Sequence, residues 1–381
     1  MKIAIYHNLP SGGAKRALYE YVVRLKKTHE IDLYNLSTSD ENFFDLRPHV
    51  KKVYTYEFST KRFPFVKRGY NIIFNLKQLE KKIAADIDSR NYDVVFVHHC
   101  QFIQSPFILR FLKTPSVYYC QEPRRVSYEY NFKIKHNKSV KALVGNYLLS
   151  REDEINARSA TTVLANSYYS MESIYKSYGI ESKVCYLGVN MENFKATKQG
   201  KHNNSRKVVS VGALDSAKGF EFVVKSISLI PTEIRPKLII ISDRWNLGYK
   251  SYILNLAQQL SVQVRTLRQV SDKKLVEIYN SSRITLCGAH LEPFGFTALE
   301  SMACKTPVIA VKEAGFRETV TEGGILVDRD EQKFAEAIAT LSENMDLLEQ
   351  LGKLGEQYVK KNWTWKSSLN KLESYLQKTS K

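Results

Sequence analysis

Short apolar runs alternate with helix-patterned segments along almost the whole chain, and this alternation constrains the fold more than any other feature. One series of runs lies at Lys2–Tyr6, Ile31–Leu36, Val53–Glu57, Val94–His98, Ser116–Cys120, Thr162–Ala165 and Val184–Leu187. A second lies at Val208–Val211, Leu238–Ile241, Val262–Leu267, Ile284–Cys287, Val308–Val311 and Ile325–Val327. The runs are rich in Val, Ile and Tyr and lack polar alternation, as expected of strands covered on both faces of a parallel sheet. Helical patterns fall between them, at Ala14–Lys27, Asn71–Ser89, Phe220–Leu229, Tyr249–Gln259, Asp272–Tyr279 and Gln332–Leu341. The class implied is α/β, built from doubly wound domains.

A length of 381 residues suits two such domains. The alternation breaks at residues 191–206, a polar stretch without a strand pattern that reads as a linker. The expected division is therefore a first domain over 1–190, a linker over 191–206 and a second domain over 207–362. A final amphipathic helix follows within 363–381, carrying Trp363, Trp365, Leu369, Leu372 and Leu376. No run approaches the roughly 18 apolar residues of a membrane-spanning helix, and Met1–Asn8 turns polar too soon for a secretory signal. Cys100, Cys120, Cys185, Cys287 and Cys304 form no CxxC pair. Neither a disulfide framework nor a structural zinc site is expected, and a reducing cytoplasm is the natural compartment.

Lys and Arg total 57 against 39 Asp and Glu, a net charge of +18 that favours polyanionic partners. Between residues 101 and 150 the cations Arg110, Lys113, Arg124, Arg125, Lys133, Lys135, Lys138 and Lys141 face only Glu122 and Glu129. Lys61, Arg62, Lys67 and Arg68 are interleaved with Phe63, Phe65 and Tyr70. This pattern suits an anionic membrane surface, on the inner face of the membrane for a cytoplasmic protein. The plainer reading is a basic solvated surface. A nucleic-acid partner is not expected, because no recognition-helix or RNA-binding signature accompanies the charge.

Three segments carry chemistry. Gly12-Gly13 follows the first strand and opens a helix, where first-turn N–H groups favour an anion. The full G-x-G-x-x-G fingerprint is absent, so a nicotinamide enzyme has little support. Val211–Phe220 repeats the arrangement at the start of the second series and places Lys218-Gly219 at a helix entrance. It lacks the spacing of a Walker loop, so ATP hydrolysis is not indicated. The third segment, Glu292-Pro293-Phe294-Gly295-Phe296-Thr297-Ala298-Leu299-Glu300, puts one carboxylate before a short helix and another within it. Carboxylates accept hydrogen bonds strongly and so suit sugar and ribose hydroxyls.

Glu292 and Glu300, separated by seven residues, resemble the EX7E signature of glycosyltransferase family 4, whose members are retaining enzymes. The surrounding EPFGFTALESMACKTPVIA and the segment VGALDSAKGF are similar to that family's acidic motif and phosphate loop, and the likeness covers nearly the whole chain. It implies the GT-B architecture, with two Rossmann-like domains facing across a cleft and the last helix returning to the first domain. It also implies a nucleotide diphosphate sugar as donor, a glycan or lipid-linked acceptor, and no metal or other cofactor. By the same resemblance Lys218 contacts the diphosphate, Glu292 the donor sugar and Glu300 the ribose. Backbone N–H groups of Phe294, Gly295 and Phe296 hold phosphate and sugar oxygens, and the base lies near Arg268–Val270. Gly12 and Gly13 approach the diphosphate or acceptor from the first domain.

The chain departs from the family pattern twice. Ala213 stands where the phosphate loop usually has arginine, which leaves more of the diphosphate charge to Lys218, with Arg244 as an unaligned substitute. Gln121 stands where related enzymes often place histidine; it can bond a hydroxyl but cannot shuttle a proton. His98 and His99 are the nearest titratable side chains, His99 as a catalytic candidate and His98 beside Gln121 on the acceptor side. The expected activity is transfer of a hexosyl-type sugar in cell-surface polysaccharide or glycolipid synthesis. The alternatives are a GT-B nucleotide-sugar epimerase and a basic nucleic-acid-binding protein.

Overall fold

The computed structural model describes residues 1–59, 71–129, 139–197 and 206–381. The chain divides into two compact units, Met1–Tyr186 with Ser368–Lys381, and Leu187–Ser367. Each is built on one wholly parallel sheet with helices between successive strands.

In the first unit the strands are β1 (Lys2–Asn8), β2 (Glu30–Leu36), β3 (Lys52–Tyr56), β4 (Val94–Cys100), β5 (Ser116–Tyr119), β6 (Thr162–Ala165) and β7 (Lys183–Val184). Their order is β3-β2-β1-β4-β5-β6-β7. The second unit has β8 (Lys207–Val211), β9 (Lys237–Ser242), β10 (Val264–Arg268), β11 (Ile284–Cys287), β12 (Val308–Val311) and β13 (Gly324–Val327), ordered β10-β9-β8-β11-β12-β13. Both are Rossmann orders. The strand order reverses between β1 and β4 and between β8 and β11, and loops leaving the carboxyl ends there form the natural ligand crevice of each sheet.

The central strands are buried on both faces, which explains their continuous apolar sequence: Val94–Val97, Ile284–Cys287 and Val308–Val311 are all buried. At roughly 1.5–3 kcal/mol for each fully buried aliphatic side chain, these strands anchor each core. The last strand of the first sheet is shorter than its apolar run. After Val184 only the Cys185 N–H reaches the neighbouring strand, at Ala165 O (2.8 Å).

The polar stretch after residue 190 is not wholly a linker. Phe194 is buried and packs on Tyr279, while Thr197 N donates to Asn280 Oδ1 (2.8 Å) and Asn280 Nδ2 donates to Lys195 O (3.1 Å). These bonds attach residues 191–197 to the second unit; residues 198–205 lie outside the described residues. Trp363 and Trp365 pack on Phe294 and Phe296. The helix Trp365–Thr379 then runs into the first unit, where Ser368 Oγ lies 2.8 Å from Tyr21 Oη and Glu373 Oε1 lies 3.0 Å from His29 Nε2.

Candidate active site

Two loops meet at the β8/β11 reversal of the second sheet. The loop after β8 runs beside the one after β9: Gly212 N donates to Ile241 O (3.0 Å) and Leu214 N to Arg244 O (2.9 Å). Asp215 Oδ1 caps a single helical turn through Ala217 N (2.9 Å). Gly219 follows at φ +66°, a left-handed conformation, and a Cβ there would stand 1.8 Å from Gly288 O. Only glycine lets the two loops approach so closely. Lys218 lies over Gly212 and its Nζ donates to Glu292 Oε2 (2.6 Å). Ala213 is buried, whereas Arg244 is exposed.

Gly295 (φ +100°) starts the helix Phe296–Ala303 against Phe316 and Thr319, with Thr319 Oγ1 donating to Phe294 O (3.2 Å). The first helical bond is donated by Ala298 N to Gly295 O (3.1 Å), so the Phe296 and Thr297 N–H groups are not used within the helix. The Phe294 side chain is buried and that of Phe296 half-buried; both serve packing, which leaves any ligand role to their backbone. Glu300 is buried one helical face away, its Oε2 accepting from Tyr279 Oη (3.4 Å). Val270 is half-buried beyond the end of β10. It follows Gln269 (φ +49°), whose N–H donates to Ser242 O (3.1 Å).

Sequence reasoning does not find the residues bracing this site. Glu313, two residues beyond β12, accepts Arg329 Nε at Oε1 (2.6 Å) and Arg329 Nη2 at Oε2 (2.8 Å). Its Oε2 also accepts Leu291 N (3.2 Å) and lies 3.3 Å from His290 Nδ1. Burial alone would raise the Glu313 carboxyl, but the bonds from His290 and Arg329 prevail and hold it down at about 2. The only available signal is positional, since both residues lie just past the carboxyl ends of parallel strands.

In the first unit Gly12 takes φ +139° at the N-terminus of helix Gly13–Leu25, and Gly13 is exposed. His98 is not at an open surface: it is fully buried between Phe96 and Tyr119, neither ring nitrogen has a hydrogen-bond partner, and burial pushes its pKa well below the usual imidazole value. A strand residue whose side chain points into a covered sheet face cannot meet an acceptor there, which corrects its placing beside Gln121. His99, on the opposite face, is partly exposed. Gln121 is buried just past β5, with an unpartnered Nε2.

A second group escapes the sequence altogether. Lys15 is fully buried, with Nζ 2.8 Å from Glu41 Oε1, and His7 Nε2 lies 3.1 Å from the same oxygen. Burial, then Lys15, lowers His7 to about 4, so the imidazole is neutral at pH 7; Leu9 N donates to its Nδ1, which assigns the proton to Nε2. A buried lysine beside the Gly12–Gly13 turn has no sequence signal, because a helix lysine ordinarily lies in water. Among the described residues no group of three or more His, Cys, Asp or Glu could hold a metal ion, and no helix is long and apolar enough to cross a membrane.

Comparison with known proteins agrees with this arrangement. The family model described as Glycosyltransferase Family 4 matches residues 11–193, and that described as Glycosyl transferases group 1 matches residues 191–358. The chain is 22% identical to an uncharacterized glycosyltransferase of Methanocaldococcus jannaschii, over 96% of this chain and 95% of that protein. A probable sucrose-phosphate synthase of Thermosipho melanesiensis is 29% identical over 49% of this chain and 46% of its own length. The solved sucrose-phosphate synthase of Thermosynechococcus elongatus superposes with a TM-score of 0.79 at 18% identity, over 99% of each chain. Anabaena HepE in complex with UDP-glucose gives 0.76 at 18% identity, over 99% of this chain and 100% of that one. Both superpositions show the GT-B fold, both family models describe glycosyltransferases, and the chain belongs to glycosyltransferase family 4.

Proposed function

We propose that the protein transfers a sugar from a uridine diphosphate sugar to an acceptor hydroxyl, with retention at the anomeric carbon and without a metal ion. The observation that carries this reading is the Lys218–Glu292 pair at 2.6 Å, placed beside the opening turn of helix Phe296–Ala303. One cation, one carboxylate and two backbone donors suit a diphosphate and its sugar. Lys218 and the Phe294–Phe296 backbone stabilise charge on the departing diphosphate, Glu292 orients the sugar hydroxyls, Glu300 takes the ribose, and the backbone at Val270 takes the base. Gly12 and Gly13 admit the diphosphate or acceptor to the first unit's loop, and His99 and Gln121 bond the acceptor. In same-face attack the acceptor oxygen bonds to the anomeric carbon as the bond to phosphate breaks. The acceptor proton passes to the departing phosphate oxygen.

The choice of uridine rests on the UDP and UDP-glucose complexes of Anabaena HepE. The test is nucleotide release from UDP-, GDP- and ADP-sugars with and without excess chelator. UDP release that survives chelation is the expected result. Loss on chelation with rescue by manganese overturns metal independence, and salt-sensitive oligonucleotide binding without donor turnover overturns the reading itself.

For the acceptor, one observation favours a lipid-linked hydroxyl at an anionic membrane in glycolipid or surface-polysaccharide synthesis. On helix Val140–Arg158 the side chains of Val140, Leu143, Val144, Tyr147 and Leu148 are 48 to 78% exposed, an apolar stripe turned toward water. Residues 131–151 contain Lys133, Lys135, Lys138, Lys141 and Arg151 and no acid. Lys61 to Tyr70, and Lys133, Lys135 and Lys138, lie outside the described residues. Salt-reversible sedimentation with phosphatidylglycerol vesicles is expected; a protein that stays in the supernatant at low salt leaves a soluble acceptor as the reading.

A further inference from the structure

We infer that Glu313 and Arg329 are positioning residues that aim the Glu292 carboxylate, an inference that rests on the donor-site reading above. It starts from the backbone. Leu291, immediately before Glu292, has φ +48°, and Ala314, immediately after Glu313, has φ +45°. Neither is glycine, so both occupy a conformation that L-residues avoid and that persists only where the surroundings enforce it.

The enforcing contacts are all present. Arg329 donates Nη1 to Gly288 O (3.0 Å) and Nη2 to Ala289 O (2.9 Å). Glu313, held by the same guanidinium, accepts Leu291 N at 3.2 Å, the N–H of the strained residue itself. On the other side of Glu292, Gly315 N donates to the Glu292 carbonyl (2.9 Å). The Glu292 backbone is thus fixed from both directions by one short segment, residues 313–315. The same strap reaches Lys218: His290 N donates to Ala217 O (2.8 Å), and Gly288 is the residue against which Gly219 packs. The Lys218–Glu292 distance is therefore set by the segment 288–292, whose shape Glu313 and Arg329 impose.

A planar guanidinium that bonds one carboxylate and two carbonyls at once cannot be replaced by lysine, whose ammonium is a point donor. Neither Glu313 nor Arg329 needs to touch the donor. Their effect is transmitted through the direction of one side chain, and a displacement of the order of 1 Å at such a group costs about a hundredfold in rate.

The test is a double-mutant cycle on UDP release from UDP-glucose, with UDP affinity by calorimetry as a check on the folded site. Glu313→Gln and Arg329→Lys should each lower kcat by about tenfold to a hundredfold while UDP affinity changes by less than about threefold. In a Glu292→Gln background the same substitutions should cost less than about twofold, because the group they aim is gone. Leu291→Gly should restore most of the lost rate to Glu313→Gln, since glycine takes the positive φ unaided. Unchanged kcat in both single variants, or an undiminished loss in the Glu292→Gln background, overturns the inference. If wild type releases nucleotide from no UDP-, GDP- or ADP-sugar, the transfer reading fails, and urea unfolding decides the clamp separately. Leu291→Gly, which relieves strain only where the clamp enforces it, should then be less destabilising in wild type than in Glu313→Gln, and equal cost in both overturns it.

Discussion

Replacing Gly219 by alanine tests the close approach of the two loops that form the donor site. Two costs are legible in the structure. At φ +66° the alanine Cβ crowds its own backbone, which costs about 1–2 kcal/mol for an L-residue. The same Cβ would stand 1.8 Å from Gly288 O and 2.5 Å from Gly288 C, where ordinary contact begins near 3.4 Å. The obstacle is backbone, not the end of a flexible side chain, so one loop must retreat by more than an ångström. Overpacking of this kind costs about 1–3 kcal/mol. The retreat also has a direction: Gly288 O accepts Arg329 Nη1 at 3.0 Å, so moving it disturbs the segment leading to Glu292. The sum, about 2–5 kcal/mol, is a large fraction of a domain's total stability of roughly 5–15 kcal/mol. Urea unfolding monitored by tryptophan fluorescence, together with UDP release from UDP-glucose, measures both consequences. A Gly219→Ala protein within about 0.5 kcal/mol of wild type and with normal turnover would refute the argument that this contact builds the site.

Lys218→Ala and Glu292→Gln should each reduce turnover about a hundredfold, the usual cost of one preorganised electrostatic contact, with intact far-UV circular dichroism; wild-type rates in either would remove that residue from the chemistry. Glu80, fully buried, is pushed up to about 7 by burial, against the opposing bonds from Tyr6 Oη (2.6 Å) and Ile108 N (2.9 Å). Because the folded value exceeds the ordinary 4.5, its contribution is fully present below pH 4.5 and is lost as pH rises through 7, by up to about 3 kcal/mol; urea midpoints at pH 5 and 8 should differ more in wild type than in Glu80→Gln. Gly145 lies inside helix Val140–Arg158 with nothing within 4 Å of an added Cβ, so Gly145→Ala should stabilise by about 1 kcal/mol in the same urea assay.

The architecture is legible in the sequence to the extent that burial on both faces makes strands continuously apolar. All six strands of the second sheet correspond to apolar runs, and the runs are most continuous in β11 and β12, which have sheet neighbours on both sides and are fully buried. Helices are legible only where their apolar face turns inward. Val140–Arg158 carries no usable pattern, because its interior face holds Asp153 and Asn156 while Leu143, Val144 and Tyr147 face water. Those buried polar groups bond to tertiary partners that no local window contains: Asp153 Oδ1 accepts Ser105 N at 2.5 Å and Asn156 Nδ2 donates to Ser105 O at 2.7 Å, while Asn156 Oδ1 has no partner. Helix Tyr168–Tyr178, started by the Ser167 cap, is a mixture of tyrosine and serine and equally escapes periodicity.

The candidate site divides along the same line. Glu292, Gly295 and Glu300 are read together because a single loop and helix carry them, and Lys218-Gly219 because a strand, a turn and a helix follow in order. In the sequence Gly219 marks only a helix entrance; the structure supplies the close approach and its partner, Gly288. Glu313 and Arg329 are separated by 16 residues and by the whole of β13, and they meet only because β12 and β13 are adjacent and parallel. His7, Lys15 and Glu41 likewise converge from a strand end, a helix and the loop after β2. Parallel sheets bring distant residues together at one edge, so the bracing of such a site is a property of strand order. A motif can therefore be found before its supports are. The positive φ at Leu291 and Ala314 carries that point one step further: a strained non-glycine residue has no sequence signature, yet here it lies next to each carboxylate, Glu292 and Glu313, whose direction the site depends on.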